Sequence, residues 1–416
     1  MLKLSHPTSE INGKIQITGS KSESNRWLIL QQIFPGIESI ENLSNSVDTK
    51  VLVEALKVYN TRSQHLHHTL EINIGHTGTA MRFLTAFFAI QTDVEIILTG
   101  SERMQQRPIE PLVTALNNLG CNISYIKKEG FPPLRIKPKI SLSDELEIRA
   151  DISSQYITAL LLNAANLPNG LKIHFQSELT SRPYVEMTKQ QLESLGIKVE
   201  WLNNGIQVYP KKSISPQQVL VESDWSSASY WFSMLALSNS SKLELASYQD
   251  QSLQGDASLR QIYAEFFGIR SEIKDDVLKL EKIQNFQFPT CVELNLNNTP
   301  DMAQTIAVTC AGLGIKAKLT GLHTLKVKET DRLEAMKNEL KNVGVDVLIT
   351  ENSIELRRFK EVKDIPLIET YQDHRMAMAF APLALKMPLK IKDEAVVNKS
   401  YPTFWQDLRS VGFGIV

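Results

Sequence analysis

The residues in this sequence that are best suited to chemistry are basic and hydroxyl side chains at the predicted starts of helices. The clearest group lies in residues 19–26 (GSKSESNR), after the alternating stretch at 15–17 and before the apolar stretch at 27–30. This order predicts a strand, a tight turn and a helix. Backbone N–H groups and the dipole at a helix start attract anions, and Lys21 and Arg26 add full positive charges there. For this stretch alone, a capped helix with a solvated basic face is the simpler interpretation.

Other basic residues occupy similar positions further along the sequence. Arg103 and Arg107 follow a strand-like stretch, Lys328 and Arg332 open a predicted helix, and Lys399 lies in a turn near the end of the chain. Arginine binds carboxylates and phosphates through a two-pronged fork, whereas lysine acts as a point charge. Together with the helix starts, these residues predict a binding site for small molecules that carry two phosphates or carboxylates.

Two acids, Asp301 and Glu329, lie among these basic residues. They could serve as a base and a proton donor if their surroundings push their pKa values apart. Each also has a simpler interpretation. Asp301 follows Pro300 at a helix start and could be a helix cap, and Glu329 and Arg332 have the spacing of a surface ion pair.

The pattern of polar turn, small residues and apolar helix returns five times after its first appearance. Its equivalent positions, separated by 74, 73, 75 and 73 residues, are Thr79, Ser153, Ser226, Asp301 and His374. Such regular spacing predicts one supersecondary unit that is used six times. The interval from Ser22 to Thr79 is only 57 residues, so we expect the first unit to be abbreviated.

Strand-like stretches and a second set of helices fill the rest of each repeat. Residues 111–119, 187–195 and 332–343 predict second helices, and each is followed by a Gly that favours a helix end. Alternating helices and strands predict an α/β chain with three repeats in each of two domains. We place the first domain at residues 20–222 and the second at residues 1–19 plus 223–416.

Composition narrows the classes of function. The 416 residues carry 45 Lys and Arg against 46 Asp and Glu, a net charge of -1, so no overall basic field is present to attract nucleic acid or an anionic membrane. The three cysteines lie far apart without CxxC spacing, which favours buried thiols in a reducing compartment. The sequence shows neither a signal-peptide pattern nor a long apolar run, and we expect a cytoplasmic protein.

One short stretch gives a weak indication of a metal site. His65, His67 and His68 are close in sequence, but no Cys, Asp or Glu accompanies them at a recognised ligand spacing. A solvated loop or an edge strand is the favoured interpretation of this stretch.

The motifs also resemble, in order along essentially the whole chain, those of the 5-enolpyruvylshikimate-3-phosphate synthase family. The matching segments are residues 19–26 (GSKSESNR), 78–82 (GTAMR), 107–109 (RPI), 153–155 (SSQ), 328–332 (KETDR) and 373–378 (DHRMAM). The resemblance implies a two-domain inside-out α/β barrel built from six βαβαββ repeats, with the active site in the interdomain cleft. It also implies transfer of the enolpyruvyl group from phosphoenolpyruvate to shikimate 3-phosphate, without metal or organic cofactor, by a protein that we expect to be a monomer.

The resemblance further assigns residues to each substrate. Shikimate 3-phosphate is expected to contact Lys21, Ser22, Arg26, Ser153, Ser154, Gln155, Ser181, Asp301 and Lys328. Phosphoenolpyruvate is expected to contact Lys21, Gly78, Arg107, Gln155, Arg332, Arg375 and Lys399. Asp301 would accept the proton of the attacking 5-hydroxyl, Glu329 would protonate the methylene carbon, and Lys21 is also placed among the catalytic residues.

Three departures from the family pattern are visible. His76 and Thr324 stand where the family often has Asn, and the region at 51–72 is shorter than usual. A histidine can still donate a hydrogen bond, but it makes that contact sensitive to pH. Because Gly78 has no side chain to crowd the phosphoenolpyruvate pocket, we expect glyphosate to compete there.

Two other functions compete with this interpretation. The sister enolpyruvyl transferase acts on a uridine-diphosphate amino sugar, UDP-N-acetylglucosamine, and usually has a Cys in a mobile loop. The corresponding loop here, residues 102–107, has none. A non-catalytic protein that senses a phosphometabolite would have little reason to keep both Asp301 and Glu329. A nucleotide-binding ATPase is disfavoured because the sequence lacks the pattern G-x-x-x-x-G-K-[ST].

Overall fold

The computed structural model describes residues 1–61, 69–139, 141–240 and 242–416. The chain divides into two compact units. We call Lys21–Val221 the continuous unit, and Met1–Ser20 together with Glu222–Val416 the discontinuous unit. The histidine cluster at 65–68 lies outside the described residues. No helix in the described part of the chain is long and apolar enough to span a membrane.

The elements alternate along the chain as the repeat predicts. The first segment of the discontinuous unit contains β1 (Leu2–Ser5) and β2 (Lys14–Gln16). The continuous unit follows with α1 (Lys21–Ile33), β3 (Ile37–Glu41), α2 (Val47–Asn60), β4 (Leu70–Asn73), α3 (Gly78–Gln91), β5 (Ile96–Thr99), α4 (Glu110–Leu119), β6 (Asn122–Tyr125), β7 (Leu134–Lys137), β8 (Glu145–Ile148), α5 (Ser154–Ala164), β9 (Leu171–Phe175), α6 (Arg182–Ser194), β10 (Val199–Leu202), β11 (Gly205–Val208) and β12 (Gln217–Leu220).

The second segment of the discontinuous unit has the same alternation. Its elements are α7 (Trp225–Leu237), β13 (Lys242–Ala246), α8 (Leu259–Phe267), β14 (Ile269–Lys274), β15 (Val277–Lys282), β16 (Cys291–Asn295), α9 (Ala303–Leu313), β17 (Lys316–Thr320), α10 (Arg332–Asn342), β18 (Val345–Ile349), β19 (Ser353–Phe359), β20 (Leu367–Ile368), α11 (His374–Phe380), β21 (Leu389–Ile391), α12 (Phe404–Ser410) and β22 (Gly414–Ile415).

The sheets confirm the predicted repeat. In the sheet β4-β5-β7-β6, β4 and β5 are parallel and the hairpin β6-β7 continues the sheet antiparallel. The sheets β10-β11-β9-β8 and β16-β17-β19-β18 have the same plan. The sheet of the abbreviated first repeat has two described strands, β3 and β12.

The segment before the continuous unit is needed to complete the discontinuous one. Strand β2 pairs parallel with β13 in the sheet β14-β15-β13-β2. Strand β1 pairs antiparallel with β21 and β22. These strands are far apart in sequence, so the chain must leave the discontinuous unit after Ser20 and return to it at Glu222.

Buried helices fill the core of each unit, and the sheets surround them. In the continuous unit α1, α3 and α5 pack against one another, and residues 78–90 of α3 are all buried. In the discontinuous unit α9 packs against α7 and α11, and all of α11 is buried. A helix that is surrounded by protein must be apolar on most sides, as the sequences of these helices are. The core therefore confirms the expected inside-out arrangement within each unit.

Glycines end the second helices, as the sequence predicts. Gly120, Gly196 and Gly344 follow α4, α6 and α10 with φ of 106°, 71° and 86°. Helix α6 begins earlier than the predicted residue 187, because Pro183 in its first turn needs no N–H partner.

Two of the glycines allow a test of these helix ends. An alanine at Gly344 would place Cβ 2.2 Å from the carbonyl oxygen of Lys360, whereas Gly314, which ends α9 with φ of 69°, has open space around the added atom. We expect Gly314→Ala to lower the free energy of unfolding by about 1–2 kcal/mol, the cost of the left-handed backbone alone. Gly344→Ala should lower it further, because the chain must also move to relieve the clash. Equal shifts in urea unfolding curves would contradict this account.

Candidate active site

The side chain of Arg26 extends from α1 to the neighbouring helix α6 of the continuous unit. Its Nε donates to Thr188 Oγ1 (2.8 Å), Nη2 to the carbonyl of Tyr184 (3.0 Å), and Nη1 to the carbonyl of Ser22 (2.6 Å). Burial lowers the pKa of Arg26 to about 10, so it stays protonated at neutral pH. These partners are neutral oxygens, so they orient the guanidinium without neutralising its charge.

Lys21, the first residue of α1, lies against an acid on α2. Its Nζ is 3.6 Å from Asp48 Oδ2, and the Asp48 side chain is only 3% exposed. The carboxylate therefore holds the ammonium group at the helix start. The sequence analysis missed Asp48, because an acid in the first turn of a helix usually complements the helix dipole and signals nothing more.

Gly78 begins α3 beneath a guanidinium. A Cβ at this position would lie 2.5 Å from Arg107 Nη1 and 3.0 Å from Arg82 Nη1, so no larger residue fits without moving Arg107. Arg82 donates to the carbonyls of Gly78 (3.1 Å) and Pro108 (3.1 Å), which ties α3 to the loop that carries Arg107. Glycine here lets Arg107 lie directly across the helix start.

The start of α5 adjoins the start of α3. The Oγ of Ser153 caps α5 by accepting from the Gln155 N–H (3.3 Å), and Gln155 Nε2 donates to Thr79 Oγ1 (3.2 Å). Ser154 is the first residue of α5. Ser181 precedes α6 in a left-handed conformation with φ of 51°, which is uncommon for a residue with a side chain. The structure thus brings the predicted serine and glutamine residues to adjoining helix starts.

His76, the first departure from the family pattern, lies in the turn before α3. One of its ring nitrogens, Nδ1, is 2.7 Å from Ser101 Oγ, and the side chain is exposed. The second departure, Thr324, is buried at 6% exposure in the turn His323–Val327.

In the discontinuous unit, Arg332 is the hub of a buried ionic network. Its side chain is 2% exposed, and it donates from Nε to Asp373 Oδ2 (2.7 Å), from Nη1 to Asp301 Oδ1 (2.8 Å) and from Nη2 to Glu329 Oε2 (3.0 Å). Three separate segments therefore meet at one guanidinium. The burial of Arg332 shows that its contact with Glu329 is more than the surface ion pair that the spacing alone suggests.

Arg375, at the start of α11, holds the opposite side of Asp301. Its Nη2 donates to Asp301 Oδ2 (3.0 Å) and to Ser226 Oγ (3.2 Å), and its Nη1 donates to the Asp301 carbonyl (3.3 Å). Lys328 Nζ lies 3.6 Å from Asp301 Oδ1. The Asp301 carboxylate, in the turn Pro300–Met302, is thus directed at cations and is not a helix cap.

These cations decide the protonation of Asp301. Burial alone would raise the pKa of Asp301, but the charges of Arg375, Lys328 and Arg332 outweigh burial and hold that pKa well below its usual range. Glu329 also lies between cations, because Lys399 Nζ donates to its Oε1 (2.5 Å) and Arg332 contacts its other oxygen. The two acids are about equally exposed, at 17% and 16% of their side chains, so a ligand can reach both.

A tight turn sets the position of Asp373, whose structural role the sequence analysis missed. Tyr371 and Gln372 both have positive φ (53° and 57°) immediately before it. The Tyr371 hydroxyl donates to Glu339 Oε1 (2.7 Å) on α10, the helix that Arg332 begins. Consecutive left-handed residues with side chains are unfavourable unless the surroundings hold them, and they commonly mark functional sites.

Comparisons with known proteins agree with this geometry. The family model of EPSP synthase (3-phosphoshikimate 1-carboxyvinyltransferase) matches residues 5–408. A 3-phosphoshikimate 1-carboxyvinyltransferase of Bacteroides fragilis is 41% identical over 413 residues, which cover 98% of this chain and 97% of that protein. The protein of the same name from Haemophilus influenzae is 35% identical over 434 residues, with 97% and 98% covered.

Solved structures show the same fold. An EPSP synthase from Acinetobacter baumannii superposes with a TM-score of 0.76 at 19% identity and covers 100% of this chain and 99% of that one. The enolpyruvyl transferase NikO from Streptomyces tendae has a TM-score of 0.75 at 13% identity, with 100% and 98% covered.

The ionic network makes Asp373 a sensitive position. Asp373→Asn removes the charge that faces the buried Arg332, although it keeps an oxygen to cap α11. We expect the free energy of unfolding to fall by about 1.5–3 kcal/mol, because Arg332 loses its most deeply buried charged partner while Asp301 and Glu329 remain. The matched control is Asp331→Asn, one residue before Arg332. Asp331 caps α10 through the N–H groups of Leu333 and Glu334, and Asn caps equally well. Similar urea unfolding midpoints for the two variants would contradict the role given to Asp373.

Proposed function

The chain belongs to the EPSP synthase family and transfers the enolpyruvyl group of phosphoenolpyruvate to shikimate 3-phosphate, and we propose that the residue clusters at its helix starts perform this reaction. The reaction is a step of the shikimate pathway, which supplies aromatic amino acids. The observation that most supports the proposal is Asp301, a carboxylate that three cations hold ionised beside a second reachable acid, Glu329.

We assign residues of both units to the two substrates. For shikimate 3-phosphate they are Lys21, Ser22, Arg26, Ser153, Ser154, Gln155, Ser181, Asp301 and Lys328. For phosphoenolpyruvate they are Lys21, Gly78, Arg107, Gln155, Arg332, Arg375 and Lys399. Helix starts, hydroxyls and lysines suit phosphate oxygens, and arginine forks suit carboxylates. Arg107 lies across Gly78 with no side chain between them, and glyphosate would compete with phosphoenolpyruvate there.

In the proposed addition step, the 5-hydroxyl oxygen of shikimate 3-phosphate bonds to the central carbon of phosphoenolpyruvate. Asp301 accepts the proton that this hydroxyl loses. The double-bond electron pair takes a proton from Glu329 at the methylene carbon, which becomes a methyl group. In the elimination step Glu329 recovers a proton from that methyl group, the double bond forms again, and phosphate leaves with the electron pair of its bond to carbon. Each acid therefore handles a different proton, as the reaction requires.

The negative charge of the substrates is expected to raise the pKa of Asp301. With a pKa far below neutral pH, Asp301 is ionised but weakly basic in the free protein. Phosphate and carboxylate groups near Lys328, Arg332 and Arg375 would offset the charges that lower this pKa. A negative neighbour raises the pKa of a carboxyl group, so substrate binding strengthens the base when it is needed.

The contacts of Arg332 limit how it binds phosphoenolpyruvate. Its Nε, one Nη1 hydrogen and both Nη2 hydrogens are used on acids, since Nη2 also donates to Asp373 (3.2 Å). Within the described contacts, one Nη1 donor is left for a ligand. Arg332 then contributes one hydrogen bond and fixes the acids, and Arg375, Lys399, Lys21 and Arg107 carry the rest of the anion binding.

We also propose that the protein works as a cytoplasmic monomer, with neither nucleic acid nor membrane as a partner. All three cysteines are free. Cys121 and Cys310 are buried, whereas Cys291 is exposed, so the expectation of buried thiols is wrong for Cys291. Burial raises the pKa of Cys121 to about 12, so this thiol is unreactive at neutral pH. Free buried thiols suit a reducing compartment.

The assignment is tested by phosphate release from phosphoenolpyruvate in the presence of shikimate 3-phosphate or UDP-N-acetylglucosamine. We expect release only with shikimate 3-phosphate, and a fall in kcat of about 10²–10⁴-fold in Asp301→Asn and in Glu329→Gln, the usual contribution of general acid–base catalysis. Asp331→Asn, a neighbouring acid outside the ionic network, should retain full activity.

Each unexpected result of the phosphate-release assay would refute a different part of the proposal. Full activity of Asp301→Asn or Glu329→Gln would refute the proton-transfer roles, whereas release with the sugar nucleotide would refute the choice of substrate. Binding of shikimate 3-phosphate without phosphate release by the wild type would favour a sensor.

A further inference from the structure

A buried carboxylate outside the ionic network, Asp256, adjoins it without touching Asp301 or Arg332 in any described hydrogen bond. Asp256 lies in the turn Gly255–Ser258 before α8 and is 3% exposed. Its Oδ2 accepts a short hydrogen bond from Ser226 Oγ, and that same oxygen of Ser226 accepts from Arg375 Nη2 (3.2 Å). A continuous chain of contacts therefore runs from Asp256 through Ser226 and Arg375 to Asp301.

The direction of each hydrogen bond matters in this chain. A serine hydroxyl has one hydrogen, and Ser226 donates it to the Asp256 carboxylate in a hydrogen bond. The lone pairs of Ser226 Oγ are then the groups that face Arg375, which can only donate. If the hydroxyl turned its hydrogen toward Arg375 instead, two donors would oppose each other. Asp256 thus fixes Ser226 as an acceptor and, through it, the position of Nη2.

The segment that carries Asp256 is itself fastened to the start of α7. Gln254 accepts from the backbone N–H of Trp225 (2.9 Å) and donates to the carbonyl of Ser223 (2.9 Å). Gln254 also donates to Glu222 (3.2 Å). The partners lie one to four residues before Ser226, and Gln254 lies two residues before Asp256, so contacts other than their own hold Asp256 and Ser226 in register.

We propose that Asp256 is a positioning residue for the reaction, which holds Arg375 against Asp301 by orienting the hydroxyl of Ser226. The inference rests on the proposed roles of Asp301 and Arg375. Asp256 touches neither substrate in this account, and it acts on Arg375 through the hydroxyl of Ser226 and through the attraction between the carboxylate and the guanidinium.

The protonation of Asp256 adds a dependence on pH. Burial raises the pKa of Asp256 to about 6, and Asp301 and Asp224 also favour the neutral form, whereas Arg375 and the Ser226 hydrogen bond favour the carboxylate. Asp256 is therefore ionised above about pH 6 and becomes neutral as the pH falls through that value. A neutral carboxyl is a weaker acceptor and can itself donate to Ser226 Oγ, so at low pH it no longer fixes the direction of this hydrogen bond.

The experiment compares kcat of the wild type, Asp256→Asn, Ser226→Ala and the double variant across pH. We expect each single variant to lower kcat by roughly tenfold to a hundredfold near neutral pH, because a small displacement of a catalytic group has effects of this size. The double variant should be no slower than the slower single variant, since both changes break one chain of contacts. KM for shikimate 3-phosphate should change by less than about twofold, because the proposal leaves its phosphate-binding residues in place.

The decisive quantity is the ratio of wild-type kcat to Asp256→Asn kcat. Substrate phosphates titrate near the same pH but cancel in this ratio. The ratio should be large near neutral pH and fall toward one below about pH 6, where the wild-type carboxyl is also neutral. A ratio that does not change with pH, additive effects of the two variants, or normal kcat with only a lower melting temperature would overturn the proposal.

Two further variants separate this inference from the assignment on which it rests. Asp250→Asn removes an exposed acid six residues earlier, on a side chain that is 79% exposed, and should leave kcat unchanged. Asp301→Asn reports on the site itself. If Asp301→Asn is inactive while Asp256→Asn is normal, only the role of Asp256 fails; if Asp301→Asn is active, the assignment of the site fails.

Discussion

The constraint on which the discontinuous unit depends is the burial of positive charge. A guanidinium removed from water is very costly unless acids surround it with good hydrogen-bond geometry. Arg332 meets this condition through Asp301, Glu329 and Asp373, which come from three segments of the chain. Those segments cannot move independently without exposing the guanidinium or leaving it unpaired. The same contacts that permit Arg332 to be buried therefore fix Asp301 and Glu329, the two acids to which we assign the proton transfers.

The ionic network contains one more cation than acids. Four cations, Lys328, Arg332, Arg375 and Lys399, are joined to three acids, Asp301, Glu329 and Asp373, by contacts of at most 3.6 Å. The anionic substrates proposed for this site would offset the extra positive charge. This charge is local, since the whole chain has a net charge of -1. In the continuous unit the helix starts of α1, α3 and α5 supply Lys21, Arg107 across Gly78, and the serine and glutamine groups, which suit the same kind of ligand.

The repeat explains why the sequence was so informative about the fold. Equal spacing of polar helix starts indicated six units, and helix-ending glycines indicated the second helices, because both signals are local. The contacts within the site were beyond reach. Asp48, Asp256 and Asp373 look like ordinary acids in helix turns, and only the packing of distant segments places them against Lys21, Ser226 and Arg332. Likewise, the sequence indicated Asp301 as a candidate base but could not show how strongly its neighbours hold it ionised.

Surrounding cations keep Asp301 ionised in the free protein, and the rest of the proposed chemistry depends on this ionised carboxylate. This ionisation is tested most directly by a carbon-13 NMR titration of labelled aspartate carboxyl groups, with the Asp301 signal assigned by its loss in Asp301→Asn. In the free protein the signal should stay at the ionised position from about pH 8 down to about pH 4, where an aspartate with the ordinary pKa of about 3.9 would already be nearly half protonated. A signal that moves within this range would show an ordinary or raised pKa, and the account of how the network prepares its base would be wrong.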